Sequence, residues 1–177
     1  MKKICVSVLF GMTCLMSGNA NAQSWQTTSD FLAVTLPVFA AVTTLQQSDR
    51  DGTVQLALTL GSTLVSTQVL KSQINAVRPD GSGNDSFPSG HTAIAFASAR
   101  FIQKRYGNDF SPIALYGAAT LTAVARVQAD KHYWRDTVAG AALGYAMAEY
   151  FTVTERGHSL SLLPTSGGLA LNWQSIW

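Results

Sequence analysis

Cysteine is almost absent from this sequence: among 177 residues the only cysteines are Cys5 and Cys14, and both lie within the first 22 residues. Those 22 residues have the pattern of a removable leader, so the remaining chain would carry no thiol and could form no disulfide. Its stability must then come from a buried core. At this length the sequence predicts one domain, large enough to bury such a core.

The leader pattern is that of a secretory signal peptide. Lys2 and Lys3 precede an apolar run over residues 4–16, and Ala20-Asn21-Ala22 provides small residues at the two positions that a signal peptidase recognises. The run is shorter than the roughly 18 residues of a membrane-spanning helix. We predict cleavage before Gln23, export to the periplasm, and a single mature domain over residues 23–177.

Charged residues are also scarce, at 12% of the chain. Without Lys2 and Lys3 there are 12 − 2 = 10 basic residues against 10 acidic ones, so the net charge of the mature chain is near zero. Nucleic-acid and other polyanion-binding proteins usually present an excess of positive charge. The composition therefore argues against a nucleic-acid partner.

Residues 52–70 contain no charged side chain over 19 positions, which is long enough to span a membrane. The same stretch carries eight threonine, serine and glutamine side chains, which make transfer into lipid much less favourable. We therefore expect a buried core helix here in preference to a membrane span.

Apolar segments separated by short charged or Gly/Pro turns make up the rest of the chain, without repeats or linkers. They predict an all-α bundle of five helices, over residues 28–47, 53–71, 89–106, 111–128 and 136–151. The last segment is rich in alanine and glycine, which would let neighbouring helices approach closely. Alternating patterns at 159–163 and 169–177 flank a Pro/Gly turn and predict a C-terminal β-hairpin that covers the bundle.

One of the three histidines lies where a loop joins a helix, in Pro88-Ser89-Gly90-His91. Ser89 suits an N-cap, and Gly90 lets the free N–H groups of the first helical turn approach an anion. His91 would lie at the rim of that anion site. Taken alone, this stretch is better explained by an ordinary helix start with a surface histidine.

Two further groups of residues could complete an anion site. Lys71 and Arg78 are seven residues apart at a predicted helix end, so both cations can reach the same point, although cations also suit helix C-termini in general. Farther along, Asp136 follows His132 by four residues and could fix its tautomer, leaving the other ring nitrogen as a nucleophile. A metal site at this pair lacks third and fourth ligands at suitable spacing, and a satisfied interior histidine is a further alternative.

Taken together, these motifs resemble the three-part signature of the type 2 phosphatidic acid phosphatase family, which includes bacterial class A acid phosphatases and vanadium haloperoxidases. In that family a serine usually precedes the arginine of the third motif, whereas this sequence has Ala125. The resemblance implies an all-α bundle of the acid phosphatase/haloperoxidase type. The matching segments are Lys71-x6-Arg78-Pro79, Pro88-Ser89-Gly90-His91 and Arg126-x5-His132-x3-Asp136.

The resemblance also implies a mechanism, hydrolysis of a phosphate ester without a metal or other cofactor. His132 would attack phosphorus and form a phosphohistidine, oriented by Asp136, while His91 would protonate the leaving oxygen. His158 lies outside every motif and is expected to be a surface or hairpin residue. The phosphate-binding groups would be Lys71, Arg78, Ser89, Gly90 and Arg126.

Several functions agree with this signature. The first is a periplasmic phosphatase acting on a membrane lipid phosphate or pyrophosphate, in contact with the membrane. The second is a soluble acid phosphatase of broad specificity, since Ser86-Phe-Pro-Ser-Gly-His-Thr92 resembles the class A version of the motif. A haloperoxidase is disfavoured because those enzymes are usually much longer, and a non-catalytic, membrane-associated binding protein has only Ala125 in its favour. The sequence makes no prediction of oligomeric state.

Overall fold

Five α-helices and one β-hairpin make up the computed structural model, which describes residues 21–154, 158–165 and 168–175. The helices confirm the predicted all-α bundle, and two antiparallel strands form the predicted hairpin, whose role as a cover stays a prediction. The predicted signal peptide lies outside the described residues apart from its last two positions. The helices are α1 (Ala22–Gln46), α2 (Arg50–Gln73), α3 (Gly90–Tyr106), α4 (Pro112–Gln128) and α5 (Trp134–Phe151), with a 3-10 turn at Gly107–Asp109 and antiparallel strands β1 (His158–Thr165) and β2 (Gly168–Ser175).

Local side chains define the helix starts. Asn21 caps α1 and Asp49 caps α2, each accepting a hydrogen bond from the backbone N–H three residues later. Helix α5 begins two residues before position 136, where the sequence predicted its start. Tyr133 is the N-cap, and Asp136 is the third helical residue, where Oδ2 accepts the backbone N–H of Tyr133 at 3.0 Å to form a capping box.

Helix α3 lies at the centre of the bundle and packs against the other four helices. It can do so because most of its buried residues are small: four alanines, Thr92 and Ser98. Helix α5 approaches it closely, as the small residues predicted. A Cβ atom added at Gly144 would lie 1.9 Å from the carbonyl oxygen of Ala93, and one at Gly140 would lie 2.4 Å from that of Ser89.

Helix α2 is oriented differently from the core helix that the sequence predicted. Its threonines face the bundle: Thr59 and Thr63 are fully buried, and Thr63 donates to the carbonyl of Thr59 at 2.7 Å. The hydroxyl of Thr59 also lies 3.4 Å from that of Thr152, whereas the buried hydroxyl of Thr67 has no hydrogen-bond partner among the described residues. Most of the apolar side chains of α2 face outward instead, although Leu56 is buried in the core, so the prediction of a buried core helix was wrong. The exposed residues include Val54, Leu58, Leu64, Val65 and Val69.

Helix α1 presents a similar apolar surface, formed by Phe31, Val34, Val38, Val42 and Leu45. Both α1 and α2 are long and apolar enough to cross a membrane, judged by length and composition. Three residues connect them, so the N-terminal end of α1 and the C-terminal end of α2 lie at the same end of the bundle.

Candidate active site

The three sequence motifs meet at one end of the bundle, where α2 and α4 end and α3 and α5 begin. Backbone hydrogen bonds join the connecting loops: the N–H of Ser86 donates to the carbonyl of Ala76 at 2.9 Å, and the N–H of Asp80 donates to the carbonyl of Asp130 at 3.1 Å. The Lys131 ammonium group adds a salt bridge to Asp80 at 2.6 Å. All eight predicted site residues are carried by the segments that these contacts hold together.

His132 is buried and has its two ring nitrogens in different surroundings. Nδ1 lies 2.7 Å from the carbonyl oxygen of Ser86, which can only accept, so the proton is assigned to Nδ1. Nε2 then carries the lone pair, and it lies 3.4 Å from a terminal nitrogen of Arg126. This is the tautomer that a nucleophilic imidazole requires, with the reactive nitrogen directed at a cation.

Electrostatics keep the same ring uncharged. Burial, followed by the positive charge of Arg126, lowers the pKa of His132 to about 3. Lys71 and Arg78 act in the same direction, whereas the hydrogen bond to Ser86 opposes them. His132 is therefore neutral throughout the ordinary pH range, and its lone pair is available.

Asp136 does not bond directly to His132 as the sequence reasoning expected. Its Oδ2 lies 4.0 Å from Nδ1 of His132 and instead accepts the hydroxyl of Ser86 at 2.6 Å. Since Oδ2 also accepts the N–H of Tyr133, the position of Asp136 in the first turn of α5 takes it away from the ring. Its influence on His132 passes through Ser86, a fully buried residue to which sequence reasoning gave no role.

Arg126 is buried and incompletely hydrogen-bonded. One terminal nitrogen approaches the Ser29 hydroxyl at 3.4 Å and Asp30 Oδ1 at 3.3 Å. Its Nε is buried without a hydrogen-bond partner among the described residues. An unsatisfied N–H on a buried guanidinium is costly, and a phosphate oxygen would supply the missing acceptor.

Lys71 and Arg78 converge as predicted, but on a carboxylate that sequence reasoning missed. Arg78 holds Asp85 through two hydrogen bonds, of 2.8 and 2.9 Å. The Lys71 ammonium group contacts the backbone carbonyl of Asp85 and lies 3.7 Å from its carboxylate. The Arg78 hydrogen bonds hold the pKa of Asp85 below its usual value, so the carboxylate is charged and fixes the orientation of both cations.

The start of α3 forms the remaining wall. Ser89 is the N-cap by backbone geometry, but its hydroxyl pairs with that of Thr92 at 3.0 Å and does not cap the helix. The N–H groups of the first turn have no acceptor within the helix, so they can bind an anion beside Gly90. His91 follows on this turn, with a side chain 40% exposed and Nε2 located 3.1 Å from Asp30 Oδ1.

Sequence reasoning missed Asp30, Asp85 and Ser86. Asp85 and Ser86 lie three and two residues before Pro88 of the second motif, so their closeness in sequence was a usable signal. The sequence signal for Asp30 was clearer, since it is the single charged residue of α1. Within the described ranges, no group of three or more His, Cys, Asp or Glu side chains is arranged to hold a metal ion.

Comparison with known proteins adds an independent line of support. A family model described as the PAP2 superfamily matches residues 52–157. A lipid A 1-phosphatase of Porphyromonas gingivalis is 37% identical over 81 residues, which cover 45% of this chain and 18% of that protein. The match thus spans less than a fifth of the relative's length.

Solved structures also match. The crystal structure described as the first transmembrane PAP2 type phosphatidylglycerolphosphate phosphatase from Bacillus subtilis has a TM-score of 0.58 and 22% identity, covering 82% of this chain and 84% of that one. It has the same helical-bundle fold. The structure of LpxE from Aquifex aeolicus has a TM-score of 0.49 and 22% identity, covering 75% and 94% of the two chains.

Proposed function

Because the chain belongs to the PAP2 superfamily, we propose that it is a metal-independent phosphatase that hydrolyses a membrane lipid phosphate or pyrophosphate at the periplasmic side. The observation that carries this proposal is the state of His132. Its ring is buried and neutral, Nδ1 is held by Ser86, and the free lone pair on Nε2 faces Arg126. A nucleophile prepared in this way beside unsatisfied cationic donors suits attack on phosphorus.

Substrate binding comes first. The nonbridging phosphate oxygens would be held by Lys71, Arg78 and Arg126, together with the backbone N–H groups at Gly90 and the hydroxyl of Ser89. Phosphoryl transfer depends mainly on such positioning and charge stabilisation. The unpartnered Nε of Arg126 would gain its acceptor at this step.

Two chemical steps follow. Nε2 of His132 forms a bond to phosphorus as the bond to the leaving oxygen breaks, and His91 transfers a proton to that oxygen. Water then attacks the phosphohistidine, His91 takes up the water proton, and the phosphorus–nitrogen bond breaks to release phosphate and neutral His132. The proton that His91 lost in the first step is thereby restored.

The apolar surfaces of α1 and α2 support a lipid substrate. Asp30 and His91 lie near the N-terminal end of α1, and Lys71 lies near the C-terminal end of α2, so the site is at one end of both apolar helices. A bilayer covering the exposed apolar residues would hold lipid headgroups at that level. The lipid A 1-phosphatase similarity agrees with such a substrate.

The test is phosphate release by the purified protein with EDTA present. Detergent-dispersed phosphatidate and undecaprenyl pyrophosphate are compared with p-nitrophenyl phosphate. We expect release from at least one lipid, abolished in His132→Gln and retained in His158→Gln, a histidine control outside the motifs. Release mainly from p-nitrophenyl phosphate would favour the soluble acid phosphatase, supported by the Ser86–Thr92 sequence. If His132→Gln kept the rate of the unaltered protein, the assignment of His132 as the nucleophile would be refuted.

A further inference from the structure

Asp30 is an unusual residue for its position. It is the single charged side chain among the 25 residues of α1, and it is surrounded along that helix by apolar and hydroxyl side chains. Its Oδ1 lies 3.1 Å from Nε2 of His91 and 3.3 Å from a terminal nitrogen of Arg126. One carboxylate oxygen thus joins the proposed acid with a proposed phosphate ligand.

This contact comes from outside the segment that matches the PAP2 family model, which begins at residue 52. The neighbouring Ser29 is fully buried and also approaches Arg126, at 3.4 Å. Two consecutive residues of α1 therefore reach the candidate site. The Asp30 side chain is 48% exposed, so burial does not force it to pair, yet both partners of its Oδ1 are site residues.

We propose that Asp30 is a positioning residue for His91, an inference that rests on the proposed phosphatase function. By accepting a hydrogen bond from Nε2, it fixes the plane of the ring and leaves Nδ1 to deliver the proton to the leaving oxygen. When water attacks the phosphohistidine, Nδ1 takes the proton back while Nε2 stays bonded to Asp30. The two histidines would then each have a carboxylate: Asp30 directly for His91, and Asp136 through Ser86 for His132.

The charges around His91 explain why it needs this partner. Burial has the largest effect in lowering the pKa of His91, and Arg126 of α4, Arg78 of the adjoining loop and Lys71 of α2 lower it further. Asp30 of α1 opposes them. Next to the start of α5, His132 is neutral, and the buried carboxylate of Asp136 accepts the hydroxyl of Ser86. Asp30 thus keeps the proton on His91 to higher pH than the cations alone would allow.

The test compares Asp30→Asn with Asp109→Asn, which alters an exposed carboxylate in the 3-10 turn that follows α3. With a poor leaving group such as an alkyl phosphate, we expect kcat/KM of Asp30→Asn to fall on the order of tenfold and its basic limb to move to lower pH. With p-nitrophenyl phosphate, whose leaving group needs little protonation, the loss should be much smaller. Asp109→Asn should match the unaltered protein on both substrates.

Two outcomes would overturn the inference. One is an equal loss on both substrates without a shift of the basic limb, which is what a purely structural role predicts. The other is a full additional loss when Asp30→Asn is combined with His91→Gln, because residues that act together should not lose activity independently.

A measurement independent of turnover separates this inference from the proposed function. The NMR titration of the His91 ring, assigned with His91→Gln, should give a lower pKa in Asp30→Asn than in the unaltered protein. An unchanged titration would refute the contact even if the enzyme is active. Failure of the unaltered protein to release phosphate would refute the proposed function, whatever the titration gives.

Discussion

Gly144 offers a direct test of the helix packing that brings the candidate site together. Replacing it by alanine would put a Cβ atom 1.9 Å from the carbonyl oxygen of Ala93 and 2.9 Å from the backbone nitrogen of Ala97. Both neighbours are backbone atoms of α3, so no side chain can rotate away. Relief requires α3 and α5 to separate by about 1 Å, and overpacking of this kind costs about 3 kcal/mol or more in severe cases.

Gly117 in α4 is the matched control, because a Cβ added there would meet nothing within 4 Å. Alanine is favoured over glycine inside a helix by about 1 kcal/mol, and both variants gain this helix-propensity stabilisation. The difference in stability between the two variants therefore isolates the free-energy cost of overpacking at Gly144. For a chain of this size, 1 kcal/mol shifts Tm by about 2–4 °C, so Gly144→Ala should melt roughly 6–12 °C below Gly117→Ala.

Thermal unfolding followed by circular dichroism at 222 nm measures both variants under the same conditions. Activity gives a second readout, since α3 begins beside His91 and α5 begins beside His132. A displacement of about 1 Å between the two should reduce turnover on the order of a hundredfold. The reasoning fails if Gly144→Ala melts at or above Gly117→Ala, because the helices could then not be as close as the structure has them.

Two further predictions concern His132. Ser86→Ala removes the hydroxyl that links Asp136 to the ring while keeping the carbonyl that accepts from Nδ1, so kcat should fall about tenfold to a hundredfold with little change in KM. Steady-state kinetics checks this, and an unchanged kcat would remove Ser86 from the proposed mechanism. The second concerns stability. Because the pKa of His132 is about 3 in the folded protein and about 6.5 when unfolded, only the unfolded state binds a proton between these values. The free energy of unfolding should therefore fall as pH drops from about 6.5 toward 3. Since each pH unit in this window is worth up to about 1.4 kcal/mol, the unaltered protein should lose about 2–3 kcal/mol more than His132→Gln between pH 6.5 and 4.5. Denaturant unfolding of the unaltered protein and of His132→Gln at the two pH values measures these losses. Equal losses of unfolding free energy would contradict the prediction.

Several features of the protein followed from the sequence because they are local. Apolar runs ended by turn residues predicted five helices, and the structure has them with α3 and α4 within a residue of the predicted bounds. Close packing against α5 followed from its glycines and alanines. The three motifs indicated which residues would bind and attack a phosphate, and those residues lie at one end of the bundle.

Other features depended on which surfaces meet. The spacing of His132 and Asp136 suggested a direct hydrogen bond, but the third position of α5 directs the carboxylate to Ser86, from another segment of the chain. The composition of α2 suggested a buried helix, yet Thr59, Thr63 and Thr67 face inward and most of its apolar side chains face out. Composition gives the total of each kind of side chain, whereas the angular position of a helix against its neighbours decides which kind is buried.

The amino-acid sequence by itself determined the chemistry available here: two histidines, three cations and the helix start at Ser89 and Gly90. Only the tertiary structure decided how these groups are paired. Asp30 and Arg126 are 96 residues apart, and no periodicity or spacing connects them. They meet because α1 packs against α4 and α3, and a hydrogen bond depends on distances of a few tenths of an ångström that packing alone sets.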